Sequence, residues 1–300
     1  MTIDQVLAMP IVAPLPSPPG GWFDFSYSLF RDGTLGVIRT DHDVQRDKSR
    51  IPPNTRAVLS RFNGQTERRV MEYSLAEYSD VCDQLTNGEW IARSGGYSDL
   101  CIVSPEGRFI RRFELGPGAG HIQSDASGAI WVGYFDYADG ENYGVIKFDD
   151  HGRLLWRADK AEPDEPDIFD CYALNVSGDK TWAYYYVDFP ILEVDGRGRT
   201  RLRACDITGA DAIAVDRQYA LLAGGYGEEQ SRIALLELRG DKARVVEQFR
   251  AEPIARSNFE WPWLLAGRAD AIHAVHEGVW HRIRVSEVCA QLGLSATTVE

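Results

Sequence analysis

The sequence predicts an all-β fold, a six-bladed β-propeller of four-stranded antiparallel blades, and three observations predict it. Gly64, Gly107, Gly152, Gly196 and Gly240 each sit in a polar turn and are separated by 43, 45, 44 and 44 residues. A constant period in this range marks one supersecondary unit repeated around an axis, and propeller blades repeat every 40–45 residues or so. Between the turns, short runs alternate apolar and polar residues with the period of a half-buried strand. Arginine then recurs after the regular turn, as in Arg68-Arg69, Arg108, Arg153 and Arg199. That placement suits an outer strand whose edge must stay soluble.

Each repeat reads as four strands. In the third, His121 to Ser124 begins the blade and Ala126-Ser127-Gly128 turns. Ile130 to Tyr134 is the second strand, and Gly144 to Phe148 the third. His151-Gly152 turns into Arg153 to Arg157, the fourth. Second strands elsewhere are Leu35–Ile38, Trp90–Ala92, Trp182–Tyr185, Leu221–Gly224 and Ile272–Val275. The sixth repeat has room for three strands only. The apolar run at residues 5–12 is expected to supply the fourth and close the ring from the opposite chain end, which leaves no large sheet edge. Residues 1–21 are thus a closing strand and a proline-rich connector, 22–284 the propeller, and 285–300 a tail, either a short helix or disordered.

Composition narrows the function. The net charge is −13 with 32 basic residues. Those are scattered, and a nucleic-acid partner needs a basic face, so none is expected. No apolar run approaches a membrane span, and no basic, apolar leader precedes Arg31. The five cysteines form no CxxC pair and lie in apolar runs. They read as buried thiols of a reducing compartment, and a cytoplasmic protein is expected.

The stretch Asp125-Ala-Ser-Gly-Ala-Ile-Trp-Val-Gly133 resembles the D-x-x-G-x-I-W-V-G repeat of regulator-type and NHL-like propellers. Over residues 22–284 the chain is similar to six-bladed propellers of high-GC bacteria, and its channel mouth resembles that of SMP-30-like lactonases. The last resemblance implies a divalent ion that activates water and polarises a carbonyl. The lactonase ligand set is one acidic residue with asparagines. This chain has no asparagine at the matching positions apart from Asn258 near the sixth.

In a propeller, the starts of the first strands and the loops between second and third strands open on one face. The first-strand starts carry Asp24, Asp80, His121, Asp170, Asp211 and Glu260. Such a ring repels itself unless protons or a cation intervene. Asp24, Asp80, His121 and Asp170 are the candidate ligands, for Ca, Mg or Mn rather than zinc. Asp211 or Glu260 would be the base of a metal-dependent hydrolase or cyclase. Aspartates that merely cap loops are the plainer alternative. The facing loops carry aromatics beside Asp or Gly, and His42, Tyr97, Tyr134, Asp136, Asp188 and Tyr226 are the candidate ligand-binding residues. Aromatics with polar tips suit binding pockets and interfaces, although they also pack between blades. The leading expectation is therefore a propeller that binds a small ligand or a protein on an acidic, aromatic face. The alternative is a divalent-metal-dependent, lactonase-like hydrolase or a cyclase.

Overall fold

The computed structural model describes residues 5–44, 52–94, 99–135, 144–158, 170–251 and 264–294. It is all-β apart from short helical turns, and its four-stranded antiparallel sheets are arranged like the blades of a propeller. Four sheets have four strands each and a fifth has eight. The first comprises β2 (Phe23–Leu29), β3 (Leu35–Thr40), β4 (Arg56–Phe62) and β5 (Glu67–Ser74). The second comprises β6 (Asp80–Gln84), β7 (Trp90–Arg93), β8 (Asp99–Val103) and β9 (Phe109–Glu114). The third comprises β10 (Ala119–Ser124), β11 (Ile130–Tyr134), β12 (Val145–Phe148) and β13 (Leu154–Arg157).

The eight-stranded sheet joins two such sets. One is β14 (Asp170–Ser177), β15 (Lys180–Tyr186), β16 (Ile191–Val194) and β17 (Thr200–Cys205). The other is β18 (Ala212–Asp216), β19 (Tyr219–Ala223), β20 (Arg232–Arg239) and β21 (Lys242–Arg250). Their outer strands meet in parallel, Ala204 opposite Lys242 and Cys205 opposite Ala243. The last sheet contains β22 (Leu264–Arg268), β23 (Ala271–His276) and β24 (Val279–Arg284). Its outer strand is β1 (Ile11–Pro14), antiparallel to β24. Residues 5–7 instead run beside β21, with Leu7 N–H donating to the Arg250 carbonyl. The strand that pairs with β24 therefore lies at the end of the stretch expected from sequence. Pro10 precedes it and Pro14 ends it, positions an edge strand tolerates. The helix α1 (Val285–Gln291) buries Val285, Val288 and Cys289 against the apolar cluster of β18–β23. Among the described residues no helix is long and apolar enough to cross a membrane.

The repeated turns have a common chemistry. Asp149 accepts from the main-chain N–H of His151 and Arg153, while Gly152 N–H closes the turn on the Asp149 carbonyl. Asp195 does the same for Arg197 and Arg199, but there the glycine at positive φ is Gly198, not Gly196. The functional period therefore runs through Gly198, two residues beyond the glycine that kept the spacing constant. Asp125 plays this part in the D-x-x-G-x-I-W stretch. It accepts from Ser127 and Ala129 N–H and from Trp131 Nε1, and pairs with Lys147.

The strands β2, β6, β10, β14, β18 and β22 lie side by side around the axis. Near their C-terminal ends a polar network closes it. Asp83, 0% exposed, accepts from Arg31 N–H, from the N–H and hydroxyl of Ser124, and from Arg268 at 3.0 Å. Arg268 donates onward to Gln123 Oε1 and the Ser124 carbonyl. Gln123 reaches the Leu174 and Gly267 carbonyls, and Asn175 donates to Ala269. Gly267 is squeezed onto the next strand, where a Cβ would lie 1.7 Å from the Ile213 carbonyl oxygen.

Two tests follow from these contacts. Removing one partner of a buried ion pair leaves the other uncompensated. Asp83→Ala is expected to lower the unfolding free energy by about 3–5 kcal/mol in urea denaturation. A loss within error would show that the axis does not depend on this pair. The second test is pH. Burial pushes His273 down to about 3 and His121 to about 4, from 6.5. Between those values the unfolded chain binds more protons than the folded one. Stability is therefore full above pH 6.5 and falls as the pH drops toward 4. The raised carboxyl of Asp80 acts in the opposite sense. Unfolding at pH 7 and pH 4.5 should differ by about 2 kcal/mol or more. His273→Gln, which keeps an acceptor near Trp280 Nε1, should flatten that slope.

Candidate functional site

The first strands of four sheets carry a β-bulge one to two residues after their start. The extra residues are Phe25 in β2, Cys82 in β6, Gly120 in β10 and Tyr172 in β14. A bulge opposes two residues to one and re-aims the side chains on either side of it. At this end of the sheets the simple alternation of inward and outward residues is therefore interrupted.

The consequence is clearest at Tyr172. Its ring centroid lies 5.2 Å from that of Phe189, 6.1 Å from Tyr226 and 5.0 Å from Phe135, all edge to face. Its hydroxyl is hydrogen-bonded to that of Tyr226. Phe189 also stacks on Tyr184 and meets Tyr186 and Tyr226. The cluster thus draws on β14, on the turns after β11 and β15, and on the segment between β19 and β20. Asp188 and Phe189, at φ 63° and 52°, turn the second of these. Few non-glycine residues adopt that region. Gly209 makes room for Tyr226, because a Cβ there would sit 2.6 Å from the ring. Gly224 does the same for the Asp211 carboxylate, 2.5 Å from a Cβ. Tyr226 remains 51% exposed, and Tyr186 and Phe135 are exposed beside it. Burial, the Tyr226 hydroxyl and the carboxylates of Asp170 and Asp211 together raise the Tyr172 phenol well above its ordinary range.

A polar group adjoins this cluster. Arg93, opposite Asp80 in the β6–β7 register, donates to the Gly120 carbonyl. Burial lifts the Asp80 carboxyl above its usual range, against the pull of Arg93 and of a hydrogen bond from Ser26 at 2.9 Å. Burial and then Arg93 hold His121 to about 4, so the imidazole is neutral at pH 7 and its ring reaches the main chain of Cys171 and Tyr172. Cys82 is pushed up to about 12, chiefly by burial.

The structure distributes the expected residues unevenly. Asp170, Asp211 and Tyr226 come together around Tyr172, and Asp80 and His121 come together around Arg93. Asp24 turns away to Arg39, at 2.7 Å, which also binds Glu67 and the Pro16 carbonyl. Tyr134, expected on a binding face, is wholly in the core, with its hydroxyl donated to the Leu115 carbonyl. Asp188 is exposed in its turn. His42 is half-buried, and its Nε2 has no hydrogen-bond partner among the described residues. Tyr97, Asp136 and Glu260 lie outside the described residues. Among the described residues one group of three brings its ligand atoms within 4.8 Å of one another, Asp149, Asp150 and His151 in an outer turn. Sequence reasoning passes over Tyr172 and Arg93, and takes Phe189 only as a member of a facing loop, not as a candidate site residue. The first hides in a bulge, Arg93 is the last residue of β7 and Phe189 follows β15, and the alternation of those strands carries no functional mark.

The fold and this arrangement define a propeller-type protein. Solved structures that share the fold include Kluyveromyces lactis Hsv2, 11% identical with a TM-score of 0.55 over 92% of this chain and 79% of that one. Selenomethionine-substituted virginiamycin B lyase from Staphylococcus aureus is 12% identical, with a TM-score of 0.50 over 90% of this chain and 97% of the lyase. A chain of the mitotic checkpoint complex is 10% identical, with a TM-score of 0.55 over 90% and 80%. At these identities the likeness is one of fold alone. Residues 141–231 match the model of the YxzG family. No curated protein matches the chain.

The thiols offer a check on the geometry. Burial raises all five, Cys205 to about 11 and Cys82 to about 12. A thiol reagent at pH 8 should modify the native protein orders of magnitude more slowly than free cysteine, because the thiolate is the nucleophile. In denaturant all five should react at once. Rapid labelling of Cys82 in the native protein would show that the Arg93 cluster is open.

Proposed function

We propose that this chain is a binding protein, a six-bladed propeller that works through the end of the sheets where the first strands begin. The eight-stranded sheet counts as two blades, and β1 completes the sixth and closes the ring. Its binding element is the exposed side of the Tyr172 cluster, with Asp170 and Asp211 beside it. His42 and Asp188 belong to the same end and extend the surface; Tyr97 and Asp136, outside the described residues, are proposed as further ligand contacts from their sequence positions alone. The partner is a protein segment or small ligand with an apolar part and a positive charge. The acidic neighbours and the net charge of −13 favour a cation there. Five free thiols fit a reducing compartment such as the cytoplasm.

The observation that carries this reading is the treatment of Tyr226. Two glycines at positive φ, Gly209 and Gly224, clear space around it and Asp211. Edge-to-face contacts then lock the ring while half of it stays in solvent. A ring needed only for the core would be covered. An exposed aromatic anchor held in one position loses little freedom on binding, which is what an interface hot spot requires. A metal-dependent hydrolase is favoured less, because Asp24 is engaged by Arg39 and Asp80 faces the cation of Arg93.

The test compares wild type with Tyr226→Ala and Tyr186→Ser as immobilised baits in lysate of the native host. The variants should lose bound species at least tenfold while their melting temperatures shift by only a few degrees. An unchanged set of bound species would overturn the reading. Hydrolysis of a lactone or ester that EDTA abolishes, and that Asp170→Ala lacks, would put the metal-dependent reading first.

A further inference from the structure

At the opposite end of the eight-stranded sheet lies a groove of about 730 Å³, lined by five cationic side chains and two carboxylates. In a chain with 45 acidic and 32 basic residues, this local reversal of sign is unexpected. Its walls are β15–β17 on one side and the ends of β18–β20 on the other. The parallel pairing of β17 with β21 fixes their separation.

Arg203 lies at the bottom of the groove. It is 4% exposed and its Nη2 donates to Glu193 at 2.8 Å. Its Nε and Nη1 have no hydrogen-bond partner within the described protein. Its guanidinium carbon lies 5.5 Å from the centroid of the Trp182 ring, which holds it in place. Lys180 shares Glu193, at 2.6 Å. One carboxylate thus serves two cations. Arg201 and Arg239, both exposed on the rim, pair with no carboxylate among the described residues. A buried donor without an acceptor is destabilising, more so when charged, so this arrangement favours an incoming acceptor of negative charge.

We propose that this groove binds a small phosphorylated anion. Guanidinium groups match tetrahedral oxyanions through several directed N–H donors. Three of them at different depths, with the Lys180 ammonium, suit a group with more than two acceptor oxygens. The volume accommodates a ligand of metabolite size. This site is distinct from the aromatic one: Lys180, Trp182, Glu193 and Arg201, which line it, lie toward the opposite ends of β15, β16 and β17.

The probe is inorganic pyrophosphate, titrated into the full-length protein by calorimetry at low ionic strength, with orthophosphate and citrate in parallel. Pyrophosphate should bind saturably, more tightly than either competitor, and more weakly as salt rises. Arg201→Gln with Arg239→Gln, two exposed positions, should weaken it at least tenfold with an unchanged circular dichroism spectrum. Arg203→Lys should weaken it as well. If that variant does not fold, the rim pair decides. Arg108→Gln with Arg153→Gln removes two exposed charges elsewhere and should leave binding unchanged. No binding, or equal weakening by both pairs, would overturn the proposal. Citrate binding as tightly as pyrophosphate would overturn the phosphate assignment.

Discussion

A single buried ion pair organises the axis of this molecule. Asp83 and Arg268 are 185 residues apart, and both are almost completely removed from water. Burying two charges is costly, and the return in stability is small unless the remaining polar atoms are also satisfied. Here they are, through Ser124, Gln123 and the Arg31 main chain, which brings strands from four sheets to one point. An apolar cluster could fill the same volume but would tolerate rotation of one sheet against another. Directed donors and acceptors allow one arrangement. The specificity of the assembly, more than its free energy, is what the pair supplies.

A plugged axis also separates the two ends of the molecule. Asp83, Arg268, Gln123 and Asn175 fill the space between the first strands at that level. The ends can therefore differ in chemistry, and they do. One carries Asp170, Asp211 and the aromatic cluster, with a neutral imidazole behind it. The other carries arginines that outnumber the carboxylates beside them. A channel open from end to end would have let these fields partly cancel.

The sequence made the repeat and the second strands legible, because both rest on local chemistry. A turn needs its glycine and its capping aspartate within a few residues, and a strand buried on both faces reads as an apolar run. Even so, Gly196 kept the spacing while Gly198 adopted the turn conformation, since two glycines in one turn leave the choice to backbone geometry. The candidate site was only partly legible. That Asp170, Asp211 and Tyr226 share one end of the sheets was legible from their place at strand starts and in loops. Tyr172 was missed because a bulge breaks the alternation that would have placed it. Tyr134 was misassigned because an aromatic at a strand end looks the same in sequence whether it faces solvent or the next sheet. Asp24 was read as a channel residue since nothing local shows that Arg39, fifteen residues on, engages it.

The parallel pairing of β17 with β21 has a further consequence. Elsewhere, neighbouring sheets meet mainly through side chains, with isolated main-chain bonds such as Val215 N–H to the Ala269 carbonyl and Leu7 N–H to the Arg250 carbonyl. Between these two sets, parting also breaks main-chain hydrogen bonds, among them that of Ala204 N–H to the Asp241 carbonyl. Strand pairing should make these two sets harder to part than sheets that meet mainly through side chains. The groove between them should hold its width better than one set at a side-chain seam.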